Sequence, residues 1–244
     1  MSPSASPTTW LVSGTSRGIG FEIVKQLLES PNNLVLAGCR TPEKATALHG
    51  LKDGAKGTLH VIQLDVANVD SVRAVPKAIA PILGESGLDH LINNAGMGKE
   101  DTPLTLDPDV FIETVWTNTL GPALLTQACI SFLDKGKEKK VINISSTLGS
   151  VASAHQFDHL GPGGAASYSI SKAALNMFTY KLKLERPDLT AITMCPGWVK
   201  TDMGTQAADL EPAESVASIL KVITSVTAAD SGKYLSHKGT VIPW

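Results

Sequence analysis

Short apolar runs alternate with longer amphipathic stretches along the whole chain. Trp10-Leu11-Val12 reads as a buried strand, and residues 21–28 carry apolar side chains at helical spacing. The alternation recurs. Strands are predicted at 33–40, 59–64, 88–92, 140–144 and 189–194, with helices near 42–51, 70–83, 108–133, 168–178 and 212–227. A final segment at 232–244 completes the chain. Strands alternating with helices at this interval predict an α/β, single-domain, doubly wound parallel sheet of about seven strands with helices on both faces.

Size and composition narrow the class. At 244 residues the chain is long enough for one large core and too short for two comfortable domains. The expected organisation is a loose tail at 1–7 and one domain at 8–244. Net charge is −2 with no Lys/Arg block, which argues against a nucleic-acid or anionic-membrane partner. No apolar run approaches the ~18 residues of a membrane span. The segment after Met1 lacks the basic and apolar regions of a signal peptide. Cys39, Cys129 and Cys195 are odd in number and lack metal-ligand spacing, which fits a reduced, cytoplasmic protein.

Chemistry enters at the strand ends, where ligands of a doubly wound sheet bind. The first strand runs into Gly14, Gly18 and Gly20 before a helix begins. Gly14 permits a tight turn, Gly18 lets the backbone approach phosphates, and Gly20 lets the helix pack on the sheet. The second strand ends in Cys39-Arg40 with no acid to take ribose hydroxyls. Arg17 can converge on the same spot, and two guanidiniums suit a 2′-phosphate, so NADP(H) is favoured over NAD(H). Each arginine alone reads equally as a solvated charge. Asp65 and the turn Asn94-Ala95-Gly96 stand at further strand ends. Asp65 either accepts from an adenine amino group or caps its loop.

Tyr168 and Lys172 are four residues apart on a predicted helix, hence on one face. A tyrosine useful near neutral pH needs its pKa moved from ~10 by roughly 2–3 units. One positive charge at ~5 Å supplies about 3 kcal/mol at an effective dielectric of about 20, enough for most of that shift. Ser145 and Ser146 end the strand before this helix. Pro122 lacks the N–H that would bond the Asn118 carbonyl, so the long helix should kink there, leaving that carbonyl to hold a water or simply repacking. His155, Asp158 and His159 lie in a glycine-rich stretch without a further ligand cluster. A mobile, partly aromatic loop therefore suits them better than a metal site.

In order and over essentially the whole chain, these residues resemble the short-chain dehydrogenase/reductase family, a Rossmann-fold group. The marks are Gly14-x-x-x-Gly18-x-Gly20, Asp65-Val66, Asn93-Asn94-Ala95-Gly96, Asn118, Ser145-Ser146, Tyr168-x-x-x-Lys172 and Pro196-Gly197 with Thr201. The resemblance implies that Tyr168 is the general acid, Ser146 orients the substrate, Lys172 lowers the Tyr168 pKa and holds a ribose, and Asn118 holds a relay water. It implies cofactor contacts at Gly14, Ser16, Arg17, Gly18, Ile19, Gly20, Arg40, Asp65, Val66, Asn94, Ala95, Gly96, Pro196, Gly197, Val199 and Thr201. The segment between Ser146 and Tyr168 is longer than the family's common pattern, and the stretch after Thr201 is shorter. Both features look like the sniffer and C-factor-like carbonyl reductases and the norsolorinic-acid-type ketoreductases. Leu148, Phe157, Trp198 and Met203 become candidate walls of an apolar, aromatic or polyketide-like pocket. The expected function is an NADPH-dependent ketoreductase acting on a small-molecule carbonyl. An alcohol dehydrogenase working oxidatively and a non-catalytic nucleotide sensor are the alternatives. The family implies a homodimer or homotetramer.

Overall fold

Alternate positions of the first strand settle on opposite faces of a sheet. In the computed structural model, which describes residues 6–244 without the side chains of 158–160, β1 spans Thr8–Ser13. Its Trp10 and Val12 pack into one apolar layer and Leu11 into the other. The period of two along a strand produces that division. The first five residues of the expected tail lie outside the described residues.

The chain then runs through α1 (Gly18–Leu27), β2 (Asn33–Cys39), α2 (Thr46–Gly50), β3 (Thr58–Gln63), α3 (Val69–Leu83) and β4 (His90–Asn93). It continues through α4 (Pro108–Val115), α5 (Gly121–Lys135), β5 (Lys140–Ile144), α6 (Ala166–Glu185), β6 (Thr190–Cys195), α7 (Pro212–Ser225) and β7 (Tyr234–Ser236). The seven strands form one parallel sheet in the order β3-β2-β1-β4-β5-β6-β7. Ile23 and Val24 of α1 and Ile219 of α7 cover one face, and Val75 of α3, Leu125 of α5 and Leu182 of α6 cover the other. The expected doubly wound sheet is what forms. Its switch point lies between β1 and β4, where the carboxyl ends open a crevice.

Three local expectations change. β4 starts at His90 rather than Leu88, because Leu88 bonds through its N–H to the Phe132 carbonyl. Asp89 is likewise diverted, accepting from the amides of Thr9 and Lys137 at 2.9 and 2.7 Å. The helix expected near 42–51 is instead α2 flanked by 3₁₀ turns at Pro42–Lys44 and Leu51–Gly54. The long helix divides at a π turn, Trp116–Leu120, where Gly121 N–H bonds the carbonyl of Trp116 five residues back. The π turn lies just before Pro122, where the kink is expected. The segment expected as a mobile loop before Tyr168 contains 3₁₀ turns at Thr147–Gly149 and Ala154–Leu160.

Candidate active site

The glycine turn after β1 is built by close approach. Gly14 sits at φ +71°, and a Cβ there would lie 2.7 Å from Ala95 Cα. A Cβ at Gly20 would lie 2.3 Å from the Gly14 carbonyl oxygen, so no side chain fits. Asn94 braces the turn by donating from Nδ2 to the carbonyls of Ser13 and Gly14 at 3.0 and 3.2 Å. Ser13 Oγ accepts from the amides of Asn94 and Ala95, both at 3.1 Å. Ser13 is a site residue that no local motif flags.

Gly18, at φ +58°, begins α1, which has no side-chain cap and no acid in its first turn. Its N-terminal amides are thus left for another acceptor. A Cβ at Gly18 would touch Thr201 Cγ2 at 3.4 Å, which brings Thr201 to the turn. Ser16 and Arg17 are exposed on it, and Ile19 packs inward. Arg17 forms an exposed ion pair on this turn. Its Nε pairs with Asp202 at 3.2 Å, on the loop that carries Thr201. Arg40 is exposed and lines an open cleft of about 450 Å³ with Gln63, Asp65, Asn68 and Ser71. Asp65 caps its loop, with Oδ1 accepting from the Ala67 amide at 3.0 Å. Val66 is buried against Gly121.

On the other side of the crevice, the Pro196 carbonyl accepts from Ser215 Oγ at 2.7 Å. Gly197 takes φ +83°, where a Cβ would meet Leu210 Cδ1 at 2.6 Å. Val199 is buried, and Thr201 Oγ1 accepts from the Gly204 amide at 3.0 Å.

Tyr168 and Lys172 fall in the first turns of α6, on one face as predicted. The Lys172 Nζ stands 5.5 Å from the Tyr168 ring centroid and donates to the Ile144 carbonyl at 2.8 Å. Ser146 follows β5 and stands close enough to the Tyr168 phenol to act on it. Its Oγ also accepts from the Leu148 amide at 3.3 Å. Asn118, fully buried in the π turn, exchanges bonds with the main chain of Met97 at 2.7 and 2.8 Å and donates to Ser171 Oγ at 2.9 Å. Ser171 in turn donates to the Tyr168 carbonyl at 2.7 Å. A Cβ on Gly96 would lie 3.2 Å from Asn118 Oδ1 and 3.5 Å from Lys172 Nζ. The four predicted catalytic residues are therefore neighbours. Ser171 joins them, as does Gly98, where a Cβ would crowd the Tyr168 ring at 3.1 Å.

Electrostatics departs from the expected lowering of Tyr168 by Lys172. Burial pushes the Tyr168 phenol up to about 12, opposed by the Ser146 hydrogen bond. Burial also pushes Lys172 down to about 8, partly offset by Cys195. A full Lys172 charge in a polar medium would lower the phenol, whereas both groups sit where charge is disfavoured. The consequence is a tyrosine that keeps its proton at neutral pH.

The four pocket candidates are spread around this centre. Leu148 and Phe157 are half-buried on the segment after Ser146. Trp198 and Met203 are exposed on the loop after β6, with Trp198 Nε1 donating to the Gly204 carbonyl at 2.8 Å. Asp158 and His159, weighed as metal ligands, have side chains outside the described residues.

A sequence model of the family described as short chain dehydrogenase matches residues 8–211. A carbonyl reductase from chicken fatty liver, solved with NADPH bound, superposes with a TM-score of 0.91 at 35% identity, covering 98% of this chain and 100% of that one. The carbonyl reductase Sniffer of D. melanogaster superposes with a TM-score of 0.89 at 29% identity over the same shares. The norsolorinic acid ketoreductase of Aspergillus parasiticus is 31% identical, covering 97% of this chain and 91% of the relative.

Proposed function

The chain belongs to the short-chain dehydrogenase family, and from that premise we propose that it is an NADPH-dependent ketoreductase or carbonyl reductase. The observation that carries the reading is the convergence of Ser146, Tyr168, Lys172 and Asn118 beside a glycine turn that excludes side chains.

The residues fit a dinucleotide. Gly14 and Gly20 leave room that any Cβ would fill, the first amides of α1 lack a side-chain cap, and Arg40 borders an open cleft. Gly14, Ser16, Gly18 and Ile19 would hold the diphosphate, and Arg40 with Arg17 the 2′-phosphate. Asp65, Val66 and the 94–96 turn would flank the adenosine half. Pro196, Gly197, Val199 and Thr201 would flank the nicotinamide, with Lys172 at its ribose. When bound, NADPH supplies the hydride.

The chain's own residues do the rest. Ser146 Oγ and the Tyr168 hydroxyl hold the substrate oxygen, and Tyr168 gives it a proton as negative charge develops there. Lys172, when charged, stabilises the phenolate left behind. Asn118 fixes α6 against the strand ends through Ser171 and provides the main chain for a relay water. Because burial pushes Tyr168 up to about 12, the phenol holds the proton it would donate at neutral pH.

Leu148, Phe157, Trp198 and Met203 support an apolar, aromatic or polyketide-like substrate, a reading that the likeness to norsolorinic acid ketoreductase favours. The described cysteines are all buried and free, which supports a cytoplasmic setting. Ile112, Ile170, Met177 and Leu184 leave exposed apolar positions on α4 and α6, which support a homodimer or homotetramer.

The experiment is a titration with NADPH and NADH, before and after Arg40→Ala, followed by a carbonyl panel. Tighter binding of NADPH, reduced about tenfold or more in the variant, is the expected outcome. Equal affinities unaffected by the change would remove Arg40 from the phosphate site.

A further inference from the structure

Tyr234 and Trp244 belong to none of the motifs above, yet they meet the site from behind. Tyr234, in β7, is the largest fully buried side chain among the described residues. Its hydroxyl donates to the main-chain carbonyl of Ser146. The phenol lies beside Ser145 and Asn176. Ser145 Oγ donates to Asn176 Oδ1 at 2.7 Å, and Asn176 Nδ2 to the Gly149 carbonyl at 3.0 Å. These bonds tie the turn that presents the Ser146 hydroxyl to α6, which presents Tyr168 and Lys172. Burial raises the Tyr234 phenol far above its ordinary value, so it remains a donor throughout the working range.

Trp244 seats that tyrosine. The two rings stack with centroids 5.4 Å apart at 26°, and Trp244 meets Tyr180 edge-on at 6.3 Å. The main chain leading to it is stitched to β7: Val241 bridges Leu235, and Ile242 N–H donates to the Tyr234 carbonyl at 2.8 Å. Ser150 Oγ donates to the Pro243 carbonyl at 2.6 Å, and the Ala152 amide to the Trp244 carbonyl at 3.0 Å. One strap, residues 241–244, thus grips both Tyr234 and the start of the segment that carries Phe157.

We infer that Tyr234 and Trp244 are positioning residues for the reaction. Tyr234 sets the Ser146 hydroxyl against Tyr168, and the strap ending in Trp244 holds the pocket wall on residues 150–157. The inference rests on the reductase reading. It adds that substrate selection in this chain depends on an aromatic stack on the far side of the serine, with no contact to the substrate. Plain packing makes a different forecast: stability, NADPH affinity and turnover then fall together.

The test compares the wild type with Tyr234→Phe, Trp244→Ala and Trp244→Phe, using NADPH with one small and one fused-ring aromatic ketone. Tyr234→Phe should lower kcat for both ketones about tenfold, as expected for a displaced oxygen donor, with NADPH affinity held within about twofold. Trp244→Ala should raise KM for the fused-ring ketone about tenfold more than for the small one, and Trp244→Phe should restore most of that loss. Wild-type kcat in Tyr234→Phe would overturn the inference, as would parallel losses of NADPH affinity and thermal stability. An active wild type with unaffected variants removes the inference alone. A wild type that reduces neither ketone removes the reductase reading as well.

Discussion

In the proposed reaction Tyr168 gives up its proton only if something receives the charge it leaves, and Lys172 is the neighbour able to do so. With the lysine brought down to about 8 by burial, its charge is present below that pH and lost above it. The tyrosine, pushed up to about 12, stays protonated across the same range. The pH profile of kcat for reduction should therefore be flat up to about 8 and decline above it as Lys172 deprotonates. A rate that rises through that range would show the phenolate, not the phenol, to be the working form. Much of this site was legible in the sequence, because Tyr168, Lys172 and the three turn glycines act at short spacing along a strand end or a helix face. The long-range partners that hold the site residues were not. Asn118 meets Ser171 across 53 positions, Ser167 meets Asp101 across 66, and Ser146 meets Tyr234 across 88. No local pattern marks partners so far apart. The pairing of Arg17 with Asp202 is hidden for the same reason, since Asp202 becomes an adjacent partner only once the sheet is assembled.

The helix carrying Tyr168 starts without a cap of its own. Its N-cap is Ala165, held at φ +58° with no side-chain hydrogen bond. Asp101, on the loop after β4, supplies the cap. Its Oδ1 accepts from the Ser167 amide at 3.0 Å, and its Oδ2 accepts from the Ser167 hydroxyl. Asp101→Ala should lower stability by about 1 kcal/mol in denaturant unfolding, the usual loss for a helix cap. Turnover should also fall while NADPH affinity holds, because Tyr168 lies one residue beyond the capped position. Unchanged stability would mean that the first turn of α6 holds itself. At this scale the sequence performed unevenly. The buried parallel strands announced themselves as apolar runs, and Pro122 announced the break near Asn118. The segment between Ser146 and Tyr168 did not, because its shape depends on bonds from Ser150 and Ala152 to the distant residues 243 and 244.

Taken whole, the molecule stakes part of its stability on a neutral histidine between β1 and β5. His90 stacks on Trp10 with centroids 3.7 Å apart and is pushed down to about 3, chiefly by burial and then by Lys140, with Asp89 opposing. An unfolded chain takes up that proton near pH 6.5, and the folded one only near 3. Between those values the unfolded state binds more protons, so stability should fall as pH falls, by up to about 1.4 kcal/mol per unit. His90→Phe keeps a ring for Trp10 and should flatten the part of that slope that His90 contributes. An unaltered slope would assign it to other groups. The sheet that buries His90 also brings the ends of β1, β4, β5 and β6 to one crevice, and the proposed reaction depends on that gathering. Its most direct test is Tyr168→Phe, assayed for both NADPH affinity and carbonyl reduction. The expected result is affinity within about twofold of wild type and turnover reduced by about three orders of magnitude or more, as for loss of a general acid together with an oxygen donor. Retained turnover in that variant would contradict the assignment of Tyr168 as the proton donor.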